Sequence, residues 1–264
     1  MAAPGDANKM IELLRKFSLL MILFVVGMGS YLSISNSTDW REPLWVQMYP
    51  ISGDGLASTE KYIATLRKEN FQTIETFMER ETKRFGVAIE RPIKIVMGQP
   101  INELPPEPPR TINPLKIAYW SLKLRWWASS VTSDQAGPEP DIRLFLVFFD
   151  PEIRPTLGHS VGLQKGMLGI VNVFSSRSQA ATNNFVIAHE MLHTLGATDK
   201  YAAGNMPAYP EGYADPQRMP LYPQNKAEIM GGHIPLSETQ AVIPQSLKQV
   251  SVGATTALEL RWIE

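Results

Sequence analysis

Hydrophobic positions recur at helical spacing in three segments of the chain. Residues 58–84 place their apolar side chains on one helical face, which predicts a long amphipathic helix that ends before Gly86. Residues 115–130 predict a second helix with several tryptophans on it. Residues 182–195 predict a third helix, and Gly196 follows it at the position that a helix C-cap prefers.

Other stretches carry the pattern of β-strands. Residues 92–98 alternate between apolar and polar positions, and residues 141–149 are an almost continuous apolar run that predicts a buried central strand. Residues 156–162 and 166–174 predict a pair of strands joined by a turn. The order of helices and strands indicates an α/β (α+β) fold, in which helices pack on a mixed sheet.

The two ends of this region are irregular in sequence. Residues 35–57 combine Ser, Asn, Pro and Gly without periodicity and predict a stalk, so the folded domain is expected to span residues 58–264. Residues 200–235 are rich in Pro, Tyr, Gly and Met, which predicts a small, loop-rich C-terminal subdomain. Ser237 is placed to cap a short helix beyond it.

An uncharged apolar run occupies residues 17–34, close to the N-terminus. As a helix it would be about 27 Å long, close to the hydrocarbon thickness of a bilayer. Lys9, Arg15 and Lys16 precede it, so residues 1–16 are expected in the cytoplasm and the folded domain on the periplasmic or extracytoplasmic side. The run predicts a single-pass transmembrane anchor or uncleaved signal. Secretion after signal cleavage and a buried core helix are the alternatives.

Composition excludes several kinds of function. The net charge is −1 and the charged fraction is 19%, with no basic run, so a nucleic-acid partner is not expected. The chain contains no cysteine, which excludes disulfides, thiolate zinc sites and thiol catalysis.

The segment that points to chemistry is His189-Glu190-Met191-Leu192-His193, which fits the pattern HExxH inside a predicted helix. Residues at i and i+4 lie on one helical face, so both imidazoles can reach one zinc ion. Glu190 lies beside the first ligand and is placed to act as a general base.

A catalytic zinc needs a third protein ligand and an open fourth position. Gly196 allows the backbone to turn after the helix, and that turn can bring Asp199 back toward the metal as the third ligand. A rival pair is Glu211 and Asp215, spaced as ExxxD, although Gly212 and the flanking prolines disfavour the helix that this spacing needs.

The stretch HEMLHTLGATD resembles the metzincin signature HExxHxxGxxH with Asp in the last position, and is similar to the snapalysin-type branch of that clan. Residues 227–232 look like the metzincin Met-turn, with Met230 under the metal. The resemblance implies a metzincin-like fold, a Zn²⁺ cofactor and peptide substrates that pair with an edge strand of the sheet. That strand is expected to contain five consecutive residues, namely Gly169, Ile170, Val171, Asn172 and Val173.

The sequence departs from the metzincin pattern at two points. Asp199 replaces a third histidine, and no tyrosine follows the Met-turn at the position that some members use. His233 lies nearby and fits either an oxyanion role or an ordinary loop position. The ExxxD spacing at Glu211 and Asp215 is similar to the third-ligand signature of the gluzincin clan.

Together these observations predict a membrane-anchored zinc metalloendopeptidase that acts on peptide or protein substrates. A catalytically inactive metzincin-like binding module and a membrane-anchored scaffold protein are the alternatives. Glu190 distinguishes them, because a protein without activity needs no general base.

Overall fold

The computed structural model describes residues 15–18, 20–21, 39–109, 111, 113–133, 139–164, 166–202 and 204–264 of the 264-residue chain. The predicted anchor at residues 17–34 lies outside these ranges except for residues 17–18 and 20–21, which are helical. Among the described residues, no helix is both long and apolar enough to cross a membrane.

Five strands form the main sheet. They are β1 (Leu44–Ser52), β2 (Ile93–Met97), β3 (Ile142–Phe149), β4 (Val161–Leu163) and β5 (Leu168–Phe174). Their order across the sheet is β2-β1-β3-β5-β4. All neighbours are parallel except β4, which runs antiparallel to β5. The mixed sheet is therefore confirmed, although the strand predicted over residues 156–162 is shorter and begins at Val161.

The helices account for most of the remaining regular structure. They are α1 (Ala57–Thr65), α2 (Gln72–Arg84), α3 (Pro114–Thr132), α4 (Ala180–Thr194) and α5 (Ala254–Glu259), with 3-10 turns at Lys68–Phe71, Arg177–Gln179 and Leu247–Gln249. The single helix predicted over residues 58–84 is wrong, because α1 and α2 are separate. Arg67 is extended between them, and its N–H donates to Asn70 Oδ1 at 2.7 Å, so a local side-chain bond replaces the helical one.

The prediction of a stalk over residues 35–57 is wrong for β1. This strand lies between β2 and β3 inside the sheet, with Val46 and Met48 fully buried. A strand buried on both faces usually reads as a continuous apolar run. Gln47 and Pro50 interrupt that run in β1, which hid it in the sequence.

Helices cover both faces of the sheet. Side chains of β3 alternate between two hydrophobic clusters, with Leu144 in one and Phe145 in the other. The first cluster contains the inner faces of α2 and α4, and the second contains the inner face of α3. Trp127 of α3 packs on Phe145 at 4.7 Å between ring centroids. The sheet thus separates α4 from α3.

The C-terminal part is loop-rich and held by three short strand pairings. These are β6 (Tyr201–Ala202) with β7 (Met206–Pro207), β8 (Ala227–Glu228) with β11 (Val250–Ser251), and β9 (Ile234–Pro235) with β10 (Ala241–Val242). The helix expected to begin at Ser237 is absent. The N–H groups of Leu236 and Ser237 both donate to Gln240 O and close a turn instead.

Candidate metal centre

One turn of α4 places His189 and His193 side by side near the helix C-terminus. Their Nε2 atoms are 3.1 Å apart, and the two rings meet edge to face. His189 is buried and His193 is half-buried. The spacing of the motif therefore produces the pair of imidazoles that the sequence indicates.

Backbone carbonyls orient both rings. His189 Nδ1 lies 2.9 Å from Ile229 O, and His193 Nδ1 lies 2.8 Å from Ala197 O. A carbonyl oxygen accepts only, so each neutral ring carries its hydrogen on Nδ1. Both Nε2 lone pairs then point at the same space, where they repel each other unless a cation or a proton lies between them.

The turn after α4 brings Asp199 to the same point. Gly196 has φ +106°, and the N–H groups of Gly196 and Ala197 donate back to His193 O and Leu192 O, which closes a Schellman motif. Asp199 Oδ1 then lies 3.2 Å from His189 Nε2 and 3.1 Å from His193 Nε2.

These three atoms suit a metal ion. They form a nearly equilateral triangle with sides of 3.1–3.2 Å. A cation about 2.1 Å from each corner would lie about 1 Å out of the triangle plane, which leaves one side open. Within the described part of the chain, no other trio of His, Asp or Glu ligand atoms converges in this way.

The rival acidic pair is not part of this group. Glu211 lies in a turn of the C-terminal part and Asp215 in an irregular stretch, so neither is on a helix. Both line a cavity with Arg84 and Val252. The structure therefore groups Asp199, and not Glu211 or Asp215, with the two histidines.

Glu190 lies next to the group in a buried position, with 8% of its surface exposed. Burial raises the pKa of its carboxyl group, and the charge of Asp199 adds to this rise, while the two histidines and the Gly162 N–H oppose it. Gly162 belongs to β4, so the carboxyl group of Glu190 faces the edge of the sheet.

The turn at residues 227–232 supports His189 through its backbone. Gly231 and Gly232 both donate their N–H groups to Glu228 O, and Gly232 has φ +75°. Met230 is fully buried. Ile229 supplies the carbonyl for His189 Nδ1, so a backbone turn beside Met230 contacts the candidate metal centre, and the position of Met230 under a metal stays a prediction.

A buried carboxylate holds this turn. Glu228 Oε2 accepts from the N–H groups of Met230 and Gly231 at 2.6 and 2.8 Å. Glu228 Oε1 accepts from the Gly253 N–H and the Thr256 hydroxyl at 2.9 and 2.8 Å. Glu228 therefore ties the turn to the start of α5.

A second carboxylate holds the loop of Asp199. Glu259 accepts from Thr198 N at 3.0 Å, from Thr198 Oγ1 at 2.6 Å and from Lys200 Nζ at 2.7 Å. Lys200 N also donates to Met230 O at 2.9 Å. Both neighbours of Asp199 are thus fixed. Thr198 is held by Glu259 of α5, and Lys200 is held by Glu259 and by the carbonyl of Met230 in the turn.

Tyr201 lies beside the metal centre. Its ring stacks on His189 at 6.4 Å between centroids, and its hydroxyl hydrogen-bonds Asp199. Burial, followed by the charge of Asp199, raises the pKa of Tyr201 to about 12, so the hydroxyl stays protonated and donates. His233 follows the turn, and burial lowers the pKa of its ring.

The expected substrate strand needs correction. Residues 169–173 belong to β5, which is an interior strand paired with β3 on one side and β4 on the other. Gly169, Ile170, Val171 and Val173 are buried, and Asn172 donates its side-chain N–H groups to the carbonyls of residues 158 and 159. The sheet edge beside the metal centre is β4. The sequence predicts this strand over residues 156–162, but its place at the sheet edge depends on which strands pair and not on a local pattern.

Four residues at the centre were not singled out from the sequence as members of the site. Glu228 and Tyr201 had local signals, because one lies within the Met-turn stretch and the other two positions after Asp199. Glu259 and Gly162 had none, since their roles depend on contacts with distant segments.

The arrangement combines two chemical capacities in one place. Three lone-pair donors can hold a divalent cation, and a buried carboxyl group beside them can take up and release a proton. Neither a protein-family model nor a curated protein matches this sequence.

Proposed function

We propose that this chain is a zinc-dependent metallopeptidase of metzincin-like design, in which His189, His193 and Asp199 bind Zn²⁺ and Glu190 is the general base. The single observation that carries the proposal is the triangle of lone-pair atoms beside the buried Glu190. Two imidazoles and one carboxylate suit a catalytic zinc with an open fourth position.

Zinc, when bound, lowers the pKa of a water molecule and polarises a scissile carbonyl group. Glu190 takes up a proton at a carboxylate oxygen and passes it to the leaving amine. Tyr201 keeps Asp199 oriented through its hydroxyl group.

An extended peptide substrate is proposed to pair with β4 rather than β5. Among the described strands, β4 has no partner on its outer side. Its Gly162 lies so close to α4 that a Cβ atom there would collide with Glu190 O and His193 Cβ. A peptide on this edge would therefore run past both the general base and the metal ligands.

The proposal includes attachment to a membrane by residues 17–34, with the catalytic domain outside the cytoplasm. Its support is the uncharged apolar run and the basic residues before it.

The test uses the purified full chain and its Glu190→Gln variant, both loaded with zinc. Bound zinc is measured by mass spectrometry, and cleavage is measured on unfolded casein and on a mixed peptide library. The variant keeps the size of the side chain, so zinc content and the unfolding midpoint should match the wild type. Its kcat should fall about 10²- to 10⁴-fold, the usual contribution of a general base.

Other results would reject parts of the proposal. Zinc in both proteins with no cleavage by either would favour a binding module. Cleavage of equal rate by both proteins would remove Glu190 from the mechanism. Absence of zinc from both would reject the metal centre, and would leave the apolar N-terminal run as the main functional clue.

A further inference from the structure

Helix α3 has two apolar faces, of which the sheet covers one. Its inner face packs on the sheet through four residues, namely Trp120, Leu124, Trp127 and Ala128. Its outer face carries Leu115, Tyr119, Leu122 and Trp126. These residues follow the spacing i, i+4, i+7 and i+11, so they form one line along the helix. We call this line the outer stripe.

The outer stripe is unusually exposed for side chains of this size. Its four members are between 61% and 79% accessible. Single exposed apolar residues are ordinary on a protein surface, but a continuous line of large ones marks a site of interaction. The outer stripe therefore needs an occupant.

All the charges that α3 itself carries are positive. Lys116 and Lys123 lie on one flank of the helix and Arg125 lies on the other. Residues 113–133 contain no Asp or Glu. A surface with a line of apolar side chains and lysines beside it complements the anionic headgroups and the acyl chains of a lipid bilayer.

The residue types fit the same occupant. Tyr119 and Trp126 have apolar rings with one polar end, which is the chemistry that concentrates at membrane interfaces. Lys116 and Lys123 can extend their charged ends toward headgroups while their stems follow the apolar stripe. A symmetric pairing of two copies along this face would instead bring cations against cations.

We propose that the outer stripe of α3 inserts into the headgroup region of a bilayer that contains anionic lipid. Because α3 and α4 pack on opposite faces of the sheet, this contact leaves the metal centre on the side that faces away from the bilayer. The proposal does not depend on metal binding or on catalysis.

The absence of cysteine permits a direct test on the full chain. Leu122→Cys is labelled with an environment-sensitive fluorophore and reconstituted into phosphatidylcholine vesicles, with and without phosphatidylglycerol, that carry nitroxide-labelled lipids. Glu60→Cys is the matched control, because it is an exposed site on α1, which packs on the opposite face of the sheet. Both proteins keep residues 17–34, so attachment by the N-terminus affects them equally.

The proposal predicts several-fold stronger nitroxide quenching at Leu122→Cys than at Glu60→Cys in anionic vesicles. Adding Lys116→Glu and Lys123→Glu to the Leu122→Cys protein should reduce quenching to the level of the control. Equal quenching at the two labelled sites would overturn the proposal. A change in the Leu122→Cys emission that follows protein concentration without lipid would overturn it in favour of self-association.

Discussion

His189 Nδ1 lies 2.9 Å from the carbonyl oxygen of Ile229, 40 residues further along the chain. This contact fixes which nitrogen of the imidazole faces the metal position. Glu228 holds the peptide segment that contains this carbonyl, because its carboxylate accepts hydrogen bonds from the N–H groups of Met230 and Gly231. Glu228, which does not contact the His189 ring, thus helps to set its orientation.

Glu228→Gln is expected to weaken metal binding without abolishing it. Only one of the two amide positions of Gln can accept, so either the bonds from Met230 N and Gly231 N or the bond from Gly253 N is lost, and the connection between the turn and α5 loosens. We expect zinc affinity to fall about 10- to 100-fold, as for other groups that orient a ligand. Competition with a chromophoric chelator measures it.

Glu81→Gln is the matched control, because Glu81 is also buried and binds Val252 N, Arg80 and Arg84 away from the ligands. It should lower the unfolding midpoint while zinc affinity stays near the wild-type value. Equal loss of affinity in both variants would mean that Glu228 acts through general stability only.

Asp199→Ala should impair metal binding more severely than the change at Glu228. It removes one corner of the ligand triangle and leaves two imidazoles without the carboxylate that neutralises the metal. Zinc affinity should therefore fall by more than about 100-fold. The double change of Glu211→Ala and Asp215→Ala removes the rival pair and should leave affinity unchanged. The reverse ranking of the two variants would reassign the third ligand.

Gly162→Ala should displace β4 from α4. A Cβ atom at this position collides with Glu190 O and His193 Cβ, and helix backbone cannot move aside easily. Overpacking of this kind costs about 1–3 kcal/mol of unfolding free energy, measured by urea denaturation. Gly158→Ala is the control, because a Cβ atom there meets nothing closer than 3.9 Å. An unchanged Gly162→Ala protein would show that β4 does not lie against the helix in solution.

The contribution of Glu259 to stability should depend on pH. Burial raises the pKa of this carboxyl group, but hydrogen bonds from Lys200 and Thr198 outweigh burial and hold it below its ordinary value of 4.5. Since the folded pKa is lowered, the stabilisation is present above pH 4.5 and is lost as the pH falls through the folded pKa.

The unfolding midpoints of wild type and Glu259→Gln, followed from pH 7 to pH 3, measure this effect. The wild type should be the more stable protein at pH 7, and the gap should close at acidic pH. Glu60→Gln, at an exposed position, should show no such gap. A gap that is independent of pH would mean that the Glu259 charge does not contribute.

Local sequence patterns predicted the part of the site that is formed by α4 and the turn after it. The i, i+4 spacing brought His189 and His193 together, and Gly196 marked the turn that returns Asp199. Local patterns did not predict the residues whose role depends on contacts between distant segments of the chain. Glu259 reaches Thr198 across 61 residues, and no periodicity encodes that contact. The strand β1 was missed because Pro50 and Gln47 break its apolar run although both faces are covered.

The hydrogen bonds between Glu259 and the loop of Asp199 have a consequence for synthesis of the chain. Glu259 is synthesised 61 residues after Thr198. A growing chain therefore contains His189, His193 and Glu190 well before Glu259 can bind the loop of Asp199. The candidate site is then fully fixed only when α5 docks. A nascent or truncated chain without that helix carries His189, His193 and Glu190 while the loop of Asp199 lacks its bonds to Glu259.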